Sequence, residues 1–186
     1  YANNLLFGFT DVLAQYYAIP DETHEFAQLA KYQYKDVNIS PKIDEMWLEL
    51  YFCIANCNIL LERLEEVGPD ILHGEARALR AFFHFDLLRL FAPSYKADPG
   101  YTAIPYITKY SNKVSPQKTV SEVIDSVIVD LKAAVTDLEG RDPIFDPLYQ
   151  ATTGSDMYMW TQPMPDRNEF LSYRGFRLNY YAVNAL

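Results

Sequence analysis

The sequence predicts an all-α chain built from helical hairpins joined by long irregular connections. Three observations carry this reading. Apolar residues recur at helical spacing in several separate stretches. The stretch from Glu75 to Pro93 is apolar on two faces, so other helices must pack on both sides of it. The short Gly68-Pro69 stop between that stretch and the helix before it forces the two to run antiparallel.

Asn3 to Tyr17 reads as a first amphipathic helix, with Leu5, Leu6, Phe9, Val12, Leu13 and Tyr16 on one face and Pro20 as its stop. Lys31 to Ser40 mixes charge, Tyr and Asn before Pro41 and reads as an exposed loop or short helix. A long second helix is expected from about Ile43 to Val67. Trp47, Tyr51, Ile54, Leu61 and Leu64 form one of its stripes, and Leu50, Cys53, Cys57 and Leu60 form another. Residues 43 to 91 then make a helical hairpin, the repeating unit of helical-repeat folds.

In the later rod of that hairpin, Leu72, Ala76, Leu79, Phe83, Leu87 and Leu90 make one strip, and Ala78, Phe82, Phe85 and Leu88 another. Arg77, Arg80, Asp86 and Arg89 should be paired at its edge or extended outward on their stems. After Phe91, prolines punctuate an extended crossing with a strand-like edge at Tyr101 to Tyr110. Thr119 and Glu122 have capping-box spacing and open a helix ending at Gly140, apolar on the face of Val120, Ile124, Val127, Leu131, Ala134 and Leu138. Being apolar on one side, it belongs on the outside of the stack. After a polar connection over residues 142 to 168, a last helical pattern starts at about Glu169 or Phe176 and runs to Leu186. A chain helical at its first residue and stopping in mid-pattern is expected to be a fragment, with residues 1–186 as a single helical domain.

Acidic residues outnumber basic ones, 25 to 16, for a formal charge of −9. That balance lacks the Lys/Arg footprint of a nucleic-acid partner. The richest apolar run, Tyr51 to Leu61, is interrupted by Asn56 and Asn58 and falls short of a membrane span. Cys53 and Cys57 lie one helical turn apart, a geometry that disfavours bridging, and read as buried free thiols. There are fifteen Tyr and eleven Phe, a content that suits both helix packing and sugar-facing surfaces.

No catalytic constellation or cofactor motif emerges. Glu22, His24 and Glu25 do not have metal-ligand spacing, and His73 and His84 lack an i+4 partner, so the histidines read as surface or helix-edge residues. No Gly-rich phosphate loop or Gly-x-Ser-x-Gly elbow is present. Asn58 and Asp86 read as structural, Asn58 by bonding a backbone group of the next helix and so fixing their register.

The pattern Glu-Ala-x-x-Leu-Arg-Ala-Phe-x-x-x-Asp-Leu-x-Arg-x-Phe, Glu75 through Phe91, resembles the signature helix of the SusD/RagB family of outer-membrane nutrient-binding lipoproteins. Three further segments fit in the same order. They are Trp47-x-x-x-Tyr51-x-x-Ile54-x-x-x-Asn58-x-Leu60-Leu61, then Thr119-Val120-x-Glu122-Val123 continuing to Asp130-Leu131-x-x-Ala134, and Arg177 to Leu186. Ala92-Pro93 and a longer loop stand where the family has a Gly and then a Pro.

The resemblance implies a tetratricopeptide-like helical-repeat domain, an alpha-alpha superhelix, without enzymatic activity. It implies an outer-membrane protein facing the cell exterior, held by a lipid anchor on an N-terminal Cys outside this sequence. The implied partners are a glycan or other nutrient and a SusC-like TonB-dependent transporter. The alternative is a helical-repeat scaffold for a protein partner, with no glycan ligand. Flat aromatic faces and short polar groups are what a pyranose requires, and the candidates are Tyr32, Tyr34 and Asn38 in the first loop and Tyr158, Trp160 and Gln162 in the late one. The competing role for these rings is to pin long loops to the helices. Trp47, Arg80, Phe82 and Phe83, with Asn58 and Asp86, are assigned to the framework.

Overall fold

The computed structural model describes residues 8–65, 68, 70–145 and 178–186. Among them the chain is all-α apart from one isolated antiparallel bridge, Thr102 with Thr119. It divides into two compact units, Tyr1–Cys53 and Ile54–Leu186.

The first unit holds two short helices, α1 (Asp11–Leu13) and α2 (Ala27–Ala30), and the start of the long α3 (Ser40–Leu64). Phe9, Val12, Leu29 and Ile39 are buried together, with Leu13, Phe26, Ile43 and Met46 against them. Both short helices end in the same way. The Tyr16 N–H reaches back to Asp11 O and the Gln15 N–H to Val12 O; after α2, the Gln33 N–H reaches Gln28 O and the Tyr32 N–H reaches Leu29 O. This double closure needs a left-handed residue just past the cap, and Gln15 and Tyr32 take it, with φ of 59° and 58°. The expected helix to Tyr17 therefore stops at Leu13, and Tyr16 is exposed, not on a buried face. Leu5 and Leu6 lie outside the described residues.

The α3 helix starts at Ser40 rather than Ile43 because Pro41 fits the first turn, where a missing N–H leaves no bond unmade. Leu50, Ile54, Cys57 and Asn58 are its buried residues, while Leu60, expected in a stripe, is more than a third exposed. Trp47 is half-buried, its ring 5.0 Å from that of Tyr51. Cys53 and Cys57 are free thiols, Cys57 buried and Cys53 partly so.

The second unit contains the end of α3, then α4 (Ile71–Phe91), α5 (Val120–Leu138), a 3-10 turn at Pro143–Phe145 and α6 (Tyr180–Ala185). Each described α-helix after α3 opens on a side-chain cap. Asp70 accepts from the His73 N–H, Thr119 and Glu122 close a full capping box, and Asn179 accepts from the Ala182 N–H. The final helix starts at Tyr180, and residues 169–177 lie outside the described ones.

The α4 and α5 helices run antiparallel and approach closely at Gly74. A Cβ there would lie 2.5 Å from Leu138 Cγ and 3.1 Å from Ala134 O. Ala78, Ala134, Leu138 and Val183 form a core at that end, so small residues on α4 let the helices meet. Farther along α4 the buried set is polar as well as apolar, and Arg80, His84 and Asp86 are each under a tenth exposed. Leu79 of the first strip and Phe85 of the second, by contrast, are more than a third exposed, so each apolar strip is narrower than its spacing implied. Phe82 and Phe83 are half-buried and meet edge to face at 5.9 Å. The expected strand-like edge shortens to the single bridge, with the Ala103 N–H on Lys118 O and the Lys118 N–H on Ile104 O.

Candidate functional site

Two groups of side chains stand out, one in each unit, and they differ in chemistry. In the second unit the α4 guanidinium is the hub. Arg80 donates through Nε and Nη2 to the two carboxylate oxygens of Asp130, at 2.8 and 2.7 Å. Such a two-pronged pair is the strong form of the ion pair because both charges gain directed hydrogen bonds. Its Nη1 donates to Asn58 Oδ1 at 2.8 Å and to Thr108 O at 3.3 Å. Asn58 Nδ2 in turn donates to Ile107 O at 3.1 Å, and the Tyr106 hydroxyl donates to Asp130 Oδ2 at 2.5 Å. Asn58 thus ties down the extended crossing and Arg80, not the backbone of the next helix.

His84 completes the group, and it overturns the expectation of a surface or helix-edge histidine: it is fully buried. The Ile107 N–H can only donate, so the His84 Nε2 at 3.0 Å accepts; Arg80 O can only accept, so Nδ1 at 2.8 Å carries the proton. Its ring stacks on Tyr106 at 3.9 Å. Burial pushes its pKa down to about 4, and burial beside the Asp130 charge pushes the Tyr106 phenol well up. Lys118 Nζ lies 5.5 Å from the centre of the Tyr106 ring. With both nitrogens of His84 engaged, this group holds the crossing against the helices and offers no base to a substrate.

Two more ion pairs sit on α4. Arg77 meets Asp137 of α5 at 2.6 Å, and Arg89 meets the buried Asp86 at 2.7 Å. Arg89 stays outside as expected, whereas Arg80 and Asp86 do not.

In the first unit the candidates are exposed. Tyr32 and Tyr34 are close to half exposed and their rings meet edge to face at 6.4 Å. The Tyr32 hydroxyl accepts from Gln15 Nε2 at 2.9 Å and donates to Leu13 O at 3.3 Å. Asn38 is exposed, its backbone N–H on Asp36 Oδ1 at 2.8 Å, and it makes no hydrogen bond to either ring. The structure therefore brings Tyr32 and Tyr34 together and adds Gln15, which the sequence did not single out. Tyr158, Trp160 and Gln162 lie outside the described residues. Elsewhere in this unit, Lys31 holds the Glu22 carboxyl below the usual range and Lys42 does the same for Glu25.

Among the described residues no three His, Cys, Asp or Glu side chains gather as metal ligands, and no helix is long and apolar enough to cross a membrane.

A family model described as starch-binding associating with outer membrane, SusD-like, matches residues 9–151. Over 94 residues the chain is 32% identical to a SusD-like protein of Formosa agariphila, a stretch that makes up 50% of this chain and 18% of that one. Its fold is similar to the crystal structure of a candidate sugar-binding protein from Bacteroides vulgatus, with a TM-score of 0.54 at 27% identity, covering 64% of this chain and 29% of that one. The match thus spans less than a third of either relative. Residues named in separate segments of the SusD/RagB pattern, Asn58, Arg80 and Asp130, are the ones that bond to one another. The chain belongs to the SusD-like family.

Proposed function

We propose that these 186 residues act as one helical domain of a non-enzymatic glycan-binding protein of the outer membrane. In this reading the protein is lipid-anchored, faces the cell exterior and hands its ligand to a SusC-like TonB-dependent transporter. The observation that carries it is the family match over residues 9–151, a family described as starch-binding and outer-membrane associated. The exposed Tyr32 and Tyr34 rings are the proposed glycan contacts in the described part, with Asn38 beside them in sequence. Tyr158, Trp160 and Gln162 are proposed as the second set.

Native electrophoresis in gels cast with soluble starch, xylan or mannan tests the glycan part. Retardation in at least one gel is expected, and free migration in all of them would sink it. Co-purification of a TonB-dependent barrel with the tagged protein from membranes tests the transporter part. A barrel recovered without glycan retardation would favour the scaffold reading.

A further inference from the structure

The two left-handed residues of the first unit are unusual in kind. The position just past a doubly closed helix end is ordinarily glycine, because a side chain there is strained. Here two helices in succession use the same closure, and the residues are Gln15 and Tyr32, with φ of 59° and 58°. The two strained residues touch each other: Gln15 Nε2 donates to the Tyr32 hydroxyl at 2.9 Å. The hydroxyl spends its own proton on Leu13 O, in the last turn of α1, at 3.3 Å. Glycine at either position would close the helix with less strain and would lose this tie.

The tie fixes what would otherwise be a swinging exposed ring. Tyr32 is held by its backbone at one end and by Gln15 and Leu13 at the other, while about half of its surface stays open. Tyr34 meets its edge at 6.4 Å. Gln15 Oε1 has no hydrogen-bond partner among the described residues and is an acceptor on the exposed side. A fixed aromatic ring with an amide at its hydroxyl end offers a neutral pyranose a surface for its C–H face and an acceptor for a hydroxyl.

We infer that Gln15 and Tyr32 form a preorganised glycan-contact pair. Gln15 is the positioning residue that holds the ring and offers its amide oxygen to a sugar hydroxyl. Strain is retained here because it fixes the ring before the ligand arrives. This rests on the glycan-binding reading above and adds a residue and a mechanism to it.

Thermal melts and gel retardation of four proteins, the parent, Gln15→Gly, Gln15→Ala and Tyr34→Ala, test the inference in whichever of the starch, xylan or mannan gels retards the parent. Gln15→Gly relieves the left-handed strain and should raise the melting temperature by about 2–4 °C, yet weaken retardation several-fold. Gln15→Ala keeps the strain and should weaken retardation to the same degree with no gain in melting temperature. Tyr34→Ala should weaken retardation and leave the melt unchanged. Loss on Tyr34→Ala with full retardation by both Gln15 variants overturns the pair and leaves the glycan reading standing. Full retardation by all three variants removes the glycan site from these residues, and a parent retarded in no gel removes the reading itself. A drop in melting temperature for Gln15→Gly would show that the tie serves stability, which also overturns the inference.

Discussion

The two units handle polar side chains in opposite ways. In the second, charge is taken out of water: Arg80, Asp130, Asn58 and His84 are under a tenth exposed and bonded to one another or to backbone. In the first, the ion pairs Lys31–Glu22 and Lys42–Glu25 stay in solvent, and aromatic rings are left open. A buried pair is expensive to break because the surviving charge is left without water or partner, whereas an exposed pair is replaced by water at little cost. The second unit is therefore brittle to single polar substitutions, and the first can change its surface with little effect on its fold. The tolerant unit is also the one that carries the proposed glycan contacts, Tyr32 and Tyr34.

The sharpest way to break this contrast is Arg80→Met, which strands the Asp130 carboxylate and should cost about 3–5 kcal/mol in urea unfolding. A cost near zero would mean that water reaches the pair and that the units do not differ. Acid should have a similar effect through His84. A histidine in the unfolded chain titrates near 6.5, and burial holds His84 at about 4 in the fold. Between those values the unfolded chain carries the extra proton, so stability rises with pH. The contribution is complete above pH 6.5 and is lost as pH falls towards 4, on the order of 3 kcal/mol in all. Urea midpoints of the parent and His84→Gln at pH 7, 5.5 and 4.5 check it, the parent losing more than the variant over that range.

Gly74→Ala puts a methyl against Leu138 and Ala134 O, and about 1–3 kcal/mol of overpacking is expected by the same assay. Asn58→Leu leaves Ile107 O without its side-chain donor and Arg80 Nη1 with Thr108 O alone, for about 1–3 kcal/mol, with glycan-gel retardation unchanged. At the small end, Glu22→Gln in the first unit should leave the melting temperature where it was, since its partner Lys31 is already solvated.

What the sequence made legible was local. The capping box at Thr119 and Glu122 was readable because both partners lie within three residues, and a break after α3 because Gly68 takes the left-handed conformation that favours glycine, with φ 84°. His84 was misread because its partners come from Tyr106 and Ile107, brought in by a crossing with no periodicity to place it. The first helix was drawn too long because its apolar spacing continues through Tyr16, and the left-handed turn at Gln15 lacks the glycine that would signal it. At the candidate site, Tyr32 and Tyr34 were readable as loop aromatics, but Gln15 was not, since its partner lies 17 residues away in sequence.

The Arg80 hub also bears on how the chain assembles. Its bond to Asp130 spans 50 residues and the Asn58 bond to Ile107 spans 49. Helical turns form from neighbours within microseconds, but joining groups so far apart in the chain first requires closing large loops. The guanidinium keeps its hydration until α5 and the crossing arrive together, so closure of this hub is expected to follow the rate-limiting step of folding. Substitutions at Arg80 or Asp130 should therefore speed unfolding more than they retard folding.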